Sequence, residues 1–243
     1  DYEFVDDRHV IGLDYERSVS FGQIMYFGLG SPRLFSFSLS DSGGTTLSSI
    51  PMTKSGSYLD VYDGFAYVTT RDSVEVFDIS NLSDISHVSS LDLTKDAIGN
   101  FYLPKLHDGY LYYVFAPIPC GSSATASPPC KDQLYRVKLE GAQTNSIEQL
   151  TSFEGPWNFA KDYIFKKSRI IFVTKHKDTE RARKNDTYSI DSFDMVSKKW
   201  ETLLSNEFVY DFSDIVDIGG DDFAVINRNT DPSKIEVYTI LTP

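Results

Sequence analysis

Val74-Glu75-Val76-Phe77-Asp78-Ile79 sets an apolar residue at every second position or nearly so, and the pattern returns four more times. The other copies are Leu34-Phe35-Ser36-Phe37-Ser38-Leu39, Leu134-Tyr135-Arg136-Val137-Lys138-Leu139, Ile190-Asp191-Ser192-Phe193-Asp194-Met195 and Ile235-Glu236-Val237-Tyr238-Thr239-Ile240. Alternation over six residues is the period of a pleated strand with one face toward a core. Each copy follows a second run rich in β-branched and aromatic residues, at 23–27, 65–69, 110–114, 169–173 and 222–226. Such composition fits a pleated, half-buried surface. Turn cues precede these runs: Phe21-Gly22, Asp63-Gly64, Asp108-Gly109, Lys167-Ser168 and Gly219-Gly220. Asp-Gly between apolar runs marks a tight hairpin, because glycine accepts the positive φ that the turn requires. A third run lies upstream at 58–61, 102–106 and 214–218, and a fourth follows the signature at 87–91 and 200–204.

Four antiparallel strands per unit, repeated at intervals of 40, 60, 56 and 45 residues, describe an all-strand repeat. Repeats of a few tens of residues signal solenoids, propellers or arrays, and an all-strand unit selects the β-propeller. The fold class expected is all-β: a five-bladed β-propeller of four-stranded antiparallel blades, forming a single domain over 1–243. The blades fall at about 16–52, 56–94, 99–152, 156–204 and 212–241. The last unit stops at Pro243 after its third strand, and a spare strand stands in front of the first unit, within 2–11. The N-terminal strand is therefore expected to close the last blade. No segment keeps a 3.6-residue apolar period over three turns, so no long helix is expected.

Two repeat families are resembled in different units. Ser73-Val74-Glu75-Val76-Phe77-Asp78-Ile79-Ser80-Asn81 resembles the leucine-valine-isoleucine-valine-aspartate repeats of surface-anchored propellers. Ser192-Phe193-Asp194-Met195-Val196-Ser197-Lys198-Lys199-Trp200 is similar to the end of a Kelch blade, where an aromatic-Asp pair precedes a tryptophan. That resemblance implies that Trp200 packs between blades. It implies a fold and not an activity, since one propeller scaffold carries many unrelated functions.

A chain of 243 residues is long enough for one well-buried all-β domain. Its net charge of −12 opposes nucleic acid, whose phosphates would be repelled over the whole field, and equally opposes an anionic membrane surface. No apolar run approaches 18 residues, so no membrane insertion by a helix is expected. The two cysteines, Cys120 and Cys130, frame Gly-Ser-Ser-Ala-Thr-Ala-Ser-Pro-Pro, and two cysteines enclosing one loop read as a disulfide. Closing a loop of this size stabilises by roughly 2–3 kcal/mol on the chain-entropy account. Asn81-Leu82-Ser83 and Asn185-Asp186-Thr187 are glycosylation sequons in expected turns. Together these features point to a secreted or cell-surface chain.

Loop lengths then become a functional map. In a propeller, the connection between the second and third strands of a blade emerges on the same face as the blade-to-blade connection. This connection is short in the first two units but expands to 116–132 in the third and 175–187 in the fourth. Between them lies the turn Gly155-Pro156-Trp157-Asn158-Phe159. Long loops without structure of their own are frequently functional. The binding candidates are Trp157 and Asn158 with Lys175, His176, Lys177, Arg181 and Arg183, the last five from the main basic run of an acidic chain. Arg forks suit an acidic partner or a sulfated or sialylated glycan. The alternative for the run is a solvated hairpin tip, and for Trp157 a place in the core.

The function expected is a non-catalytic binding module for a protein or glycan, or a subunit of a larger surface assembly. The alternative is a glycoside-active propeller. That chemistry needs two carboxyl groups about 5–9.5 Å apart, and inner-strand candidates are Asp60, Asp162 and Asp214. His9, His87, His107 and His176 fall in different units without metal-ligand spacing, so no metal and no cofactor are expected. No phosphate loop, dinucleotide fingerprint or nucleophile elbow occurs.

Overall fold

A computed structural model describes residues 2–6, 9–14, 32–40, 43–54, 56, 58–70, 72–93, 99–117, 132–140, 143–153, 158–176, 187–208, 212–227 and 234–240. The described residues form nineteen strands in five antiparallel sheets. The first sheet holds β1 (Tyr2–Phe4), β2 (His9–Asp14), β3 (Arg33–Ser40) and β4 (Gly43–Pro51). The second holds β5 (Tyr58–Tyr62), β6 (Phe65–Thr69), β7 (Ser73–Asp78) and β8 (Ser86–Asp92). The third holds β9 (Gly99–His107), β10 (Tyr110–Pro117), β11 (Gln133–Glu140) and β12 (Gln143–Ser152). The fourth holds β13 (Asn158–Lys166), β14 (Arg169–His176), β15 (Thr187–Asp194) and β16 (Lys199–Phe208). The fifth holds β17 (Phe212–Gly219), β18 (Asp222–Asn227) and β19 (Lys234–Thr239). All five copies of the alternating signature are third or last strands of these sheets, as the repeat requires.

Two compact units divide the chain. One comprises 1–97, 104–111 and 137–147, and the other comprises 98–103, 112–136 and 148–243. The first unit is cored by Ile11, Leu34, Leu59, Ala66, Val68, Phe77 and Ile79, which join the first and second sheets. The second unit has a core of Ile164, Ile171, Val173, Tyr188 and Ile190 against Ile215, Phe223, Val225 and Ile240. Central strands are buried on both faces, as in β7, whereas the outer strand β8 is exposed except at half-buried Ser89 and Leu91. Both Asp-Gly cues hold: Asp63, Gly64, Asp108 and Gly109 all take positive φ, the conformation of a type I′ hairpin, while the Phe21-Gly22 cue lies outside the described residues.

The N-terminal strand departs from expectation. β1 and β2 belong to the first sheet, in the order β1-β2-β3-β4, and do not close the last one. The reason is a matched register: β2 pairs with β3 over six residues, with Ile11 opposite Ser36 and Leu13 opposite Leu34. This pairing buries both Ile11 and Leu34 in the first core. Residues 23–27, expected to fill the place beside the signature strand, lie outside the described residues. The first sheet accordingly starts at Tyr2 and not near residue 16, and the fifth sheet has three strands among the described residues.

Gly99 opens β9 where no side chain fits. A Cβ there would lie 2.1 Å from the Phe115 ring and 2.6 Å from the Ala116 carbonyl oxygen. Phe115 in turn packs on Phe101, with ring centroids 5.0 Å apart. Gly99→Ala is expected to destabilise by about 2–3 kcal/mol in urea unfolding, the size of an overpacking strain. Phe115→Leu in the same chain should recover part of that loss. Equal stability of Gly99→Ala and the parent would show that the ring moves away freely.

Candidate functional site

The described flanks of two long-loop segments meet at one end of sheet four. Its register places Asn158 opposite His176, and His176 opposite Thr187. The segments 154–157 and 177–186 therefore both start or finish at the ends of β13, β14 and β15. The third sheet is tied to the same end. Asp132, the residue before β11, is 3% exposed, and its carboxylate accepts a hydrogen bond from the backbone N–H of Ala160 in β13. The Tyr102 hydroxyl of β9 donates to the same carboxylate. The flank of segment 118–131 is thus held beside the flank of segment 154–157.

Burial dominates the chemistry of Asp132. Loss of hydration pushes its carboxyl up to about 7, only partly offset by the Ala160 N–H. At neutral pH this group is poised between its two protonation states. It was legible in the sequence only as the residue ending a long loop, because depth is not encoded in the local pattern.

His176 enters a hydrogen-bond chain across three strands. Its Nε2 lies 2.6 Å from Ser189 Oγ, which donates to Asp191 Oδ2 at 2.6 Å. Thr202 of β16 donates to Asp191 Oδ1 at 2.8 Å. A carboxylate accepts only, so the serine proton points at Asp191 and the serine oxygen receives the Nε2–H of His176. In this arrangement the imidazole donates to the hydroxyl. A nucleophile-activating triad requires the reverse, a nitrogen that accepts the hydroxyl proton. Burial lowers the His176 pKa, partly countered by Asp191, so the ring is held neutral. Beside this chain the hydroxyl of Thr174, 2% exposed and opposite Ser189, has no hydrogen-bond partner.

Lys175 lies on the other face of β14. Its Nζ stands 5.6 Å from the centroid of the Tyr188 ring, a cation–π contact. Tyr188 belongs to the core shared with sheet five. Lys175 and His176, grouped by the sequence, therefore serve opposite faces, as strand alternation demands. Trp157, Lys177, Arg181, Arg183, Cys120, Cys130 and Asn185 lie outside the described residues. Asn81 sits in an exposed turn, with its Oδ1 accepting the Ser83 N–H at 3.1 Å.

The inner-strand aspartates have a common arrangement. Asp60 accepts from its neighbour Val61 at 2.8 Å and from the backbone of Leu106 in β9. Asp162 accepts from Tyr163 at 2.8 Å and from the Ile215 N–H of β17 at 3.2 Å. Each carboxylate thereby ties its own inner strand to that of the following sheet. Burial raises the Asp60 carboxyl, opposed by these donors and by the Tyr58 hydroxyl at 3.0 Å. Glu3 in β1, unmarked by any motif, has its carboxyl raised by burial and then by the charge of Asp60. Asp214 is half-buried in β17.

Solved structures similar to this chain have β-propeller-type folds. An oligogalacturonate lyase in complex with manganese superposes with a TM-score of 0.59 at 12% identity, covering 96% of this chain and 62% of the lyase. The fold is of the β-propeller type. An acylaminoacyl peptidase in complex with a chloromethyl ketone gives a TM-score of 0.57 at 11% identity, covering 98% of this chain and 38% of that one. Hsv2 of Kluyveromyces lactis gives 0.52 at 12% identity, covering 100% of this chain and 74% of that one. This chain spans 62% of the lyase's length. At such identities the likeness shows fold alone. No protein-family model and no curated protein matches the sequence.

Proposed function

We propose that this chain is a five-bladed propeller acting as a non-catalytic binding module, secreted or displayed at a cell surface. It takes a protein or glycan partner at the His176 end of sheet four. The observation that carries this reading is the Asn158–His176–Thr187 rung. It gathers the flanks of the basic segment 177–186 and of the Trp157 turn at one sheet end, and the Asp132–Ala160 bond brings the flank of the Cys120–Cys130 segment beside them. Loops held by a rigid sheet are the usual place for recognition. Support for a non-catalytic role comes from the donors that Asp60 and Asp162 already accept, and from the direction of the His176–Ser189 hydrogen bond.

The test is a glycan array probed with the oxidised chain, alongside Trp157→Ala and Arg181→Ala/Arg183→Ala. A sulfated or sialylated signal lost in both variants is the expected result. An empty array from a folded chain would remove the glycan reading and leave protein partners, to be sought by affinity capture with the same variants as controls.

A further inference from the structure

Asn81, Leu82 and Ser83 lie in the connection from β7 to β8, outside the ladder that joins the two strands. Asn81 and Ser83 are exposed. Leu82 between them is held from below: it packs against the first core, and its carbonyl accepts the Ser36 hydroxyl of β3. The triplet is therefore pinned at its middle residue, with its two outer residues at the surface.

Hydrogen bonds fix the shape of the turn. Asp78 at the end of β7 accepts the Ser80 N–H at 2.9 Å through Oδ1. Asn81 Oδ1 accepts the Ser83 N–H at 3.1 Å, and the Asn81 carbonyl accepts the Asp84 N–H at 2.9 Å. A side-chain oxygen that bonds to the backbone two residues on makes an Asx turn. The turn engages the oxygen of Asn81 and the backbone of Ser83. It uses neither the carboxamide nitrogen of Asn81 nor the hydroxyl of Ser83. Those two groups are the ones that mark an acceptor for asparagine-linked sugar: the nitrogen receives the sugar, and a hydroxyl residue is required two positions on. A sugar on Nδ2 leaves Oδ1 in place, so the Asx turn survives the modification.

We propose that Asn81 is an acceptor site for an asparagine-linked oligosaccharide. The proposal rests on the secreted reading above, because the transferase and its lipid-carried sugar act inside the secretory pathway. In the transfer, Asn81 Nδ2 bonds to the anomeric carbon of an oligosaccharide carried on a polyprenyl diphosphate. The anomeric C–O bond breaks, the diphosphate leaves with the electron pair, and Nδ2 gives up one proton to the transferase. The attached group is bulky and hydrated, which suits a surface turn outside the β7–β8 ladder.

The test is expression of the full chain behind a cleavable signal peptide in cultured mammalian cells, with the secreted and the retained chain both analysed. Enzymatic release of glycans in heavy-oxygen water turns an occupied asparagine into a labelled aspartate, which peptide mass mapping assigns to its position. Label at Asn81 on most molecules is the expected result. Ser83→Ala should abolish that label and leave the melting temperature unchanged, since the turn uses the Ser83 backbone and not its hydroxyl. Ser83→Thr should keep it, because either hydroxyl residue completes the acceptor. An unlabelled Asn81 in the parent chain, or label that persists in Ser83→Ala, overturns the proposal. The added signal peptide separates the site from the localisation. Label here against a bare Asn81 in the chain from its natural source would support the acceptor site and overturn the secreted reading.

Discussion

Trp200→Ala is expected to destabilise the chain by about 3–4 kcal/mol, at the lower end of the range for losing a large aromatic from a packed cluster. The Trp200 ring lies 5.2 Å from Phe153, 5.4 Å from Phe172 and 5.2 Å from Phe193, centroid to centroid. Its Nε1–H donates to Thr151 Oγ1 at 2.9 Å. Phe153 and Thr151 come from the chain at the end of the third sheet, and Phe172 and Phe193 from the fourth. One residue thus joins two sheets by stacking and by a hydrogen bond. Trp200→Phe keeps much of the apolar contact and should cost about half as much, while Thr151→Val isolates the hydrogen bond at about 1 kcal/mol. Urea unfolding by far-ultraviolet circular dichroism reads all three. A loss below about 1 kcal/mol for Trp200→Ala would mean that the ring is a surface group whose neighbours close over its place.

Asp132 should make stability depend on pH in an unusual direction. Its carboxyl is raised from 3.8 to about 7 in the folded chain, so the folded state holds a proton that the unfolded state releases. Its contribution is fully present below about 3.8 and is lost as pH rises through about 7. At about 1.4 kcal/mol per unit, the ceiling on that loss is about 4 kcal/mol. Asp132→Asn retains a neutral acceptor for the Tyr102 hydroxyl and removes the charge. The variant is expected to exceed the parent in stability by about 1–3 kcal/mol at pH 8 and to match it near pH 4. Unfolding midpoints measured from pH 4 to 8 for both proteins separate this effect from other titrations. Parallel curves would show that Asp132 stays ionised throughout.

Much of the fold was written in local pattern. The signature strands, the Asp-Gly hairpins and the outer strands β8 and β16 follow from alternation and turn chemistry, which act over a few residues. The place of the N-terminal strand did not follow, because a six-residue apolar strand can pair with any free edge. Only the fit of Ile11 and Leu34 into one core decides between edges. The candidate site was half legible. The expanded segments around Cys120 and Arg181 are visible as lengths, and the register confirms that the flanks of 154–157 and 177–186 meet. The division of Lys175 from His176 follows from strand period once the strand reaches as far as His176. The depth of Asp132, the Ser189–Asp191 pair and the partnership of Glu3 with Asp60 arise from contacts between distant segments, which alternation cannot express.

Pairing between chain neighbours also bears on how the molecule forms. Every sheet among the described residues is built from strands consecutive in the chain. Closing a short hairpin costs far less chain entropy than bringing remote segments together. During synthesis, which runs from the N-terminus, each sheet has all of its described strands soon after they leave the ribosome. The first sheet, in particular, recruits β1 and β2 locally instead of reserving them for a distant edge. Assembly can therefore proceed vectorially, each finished sheet presenting its apolar face to the next one to emerge.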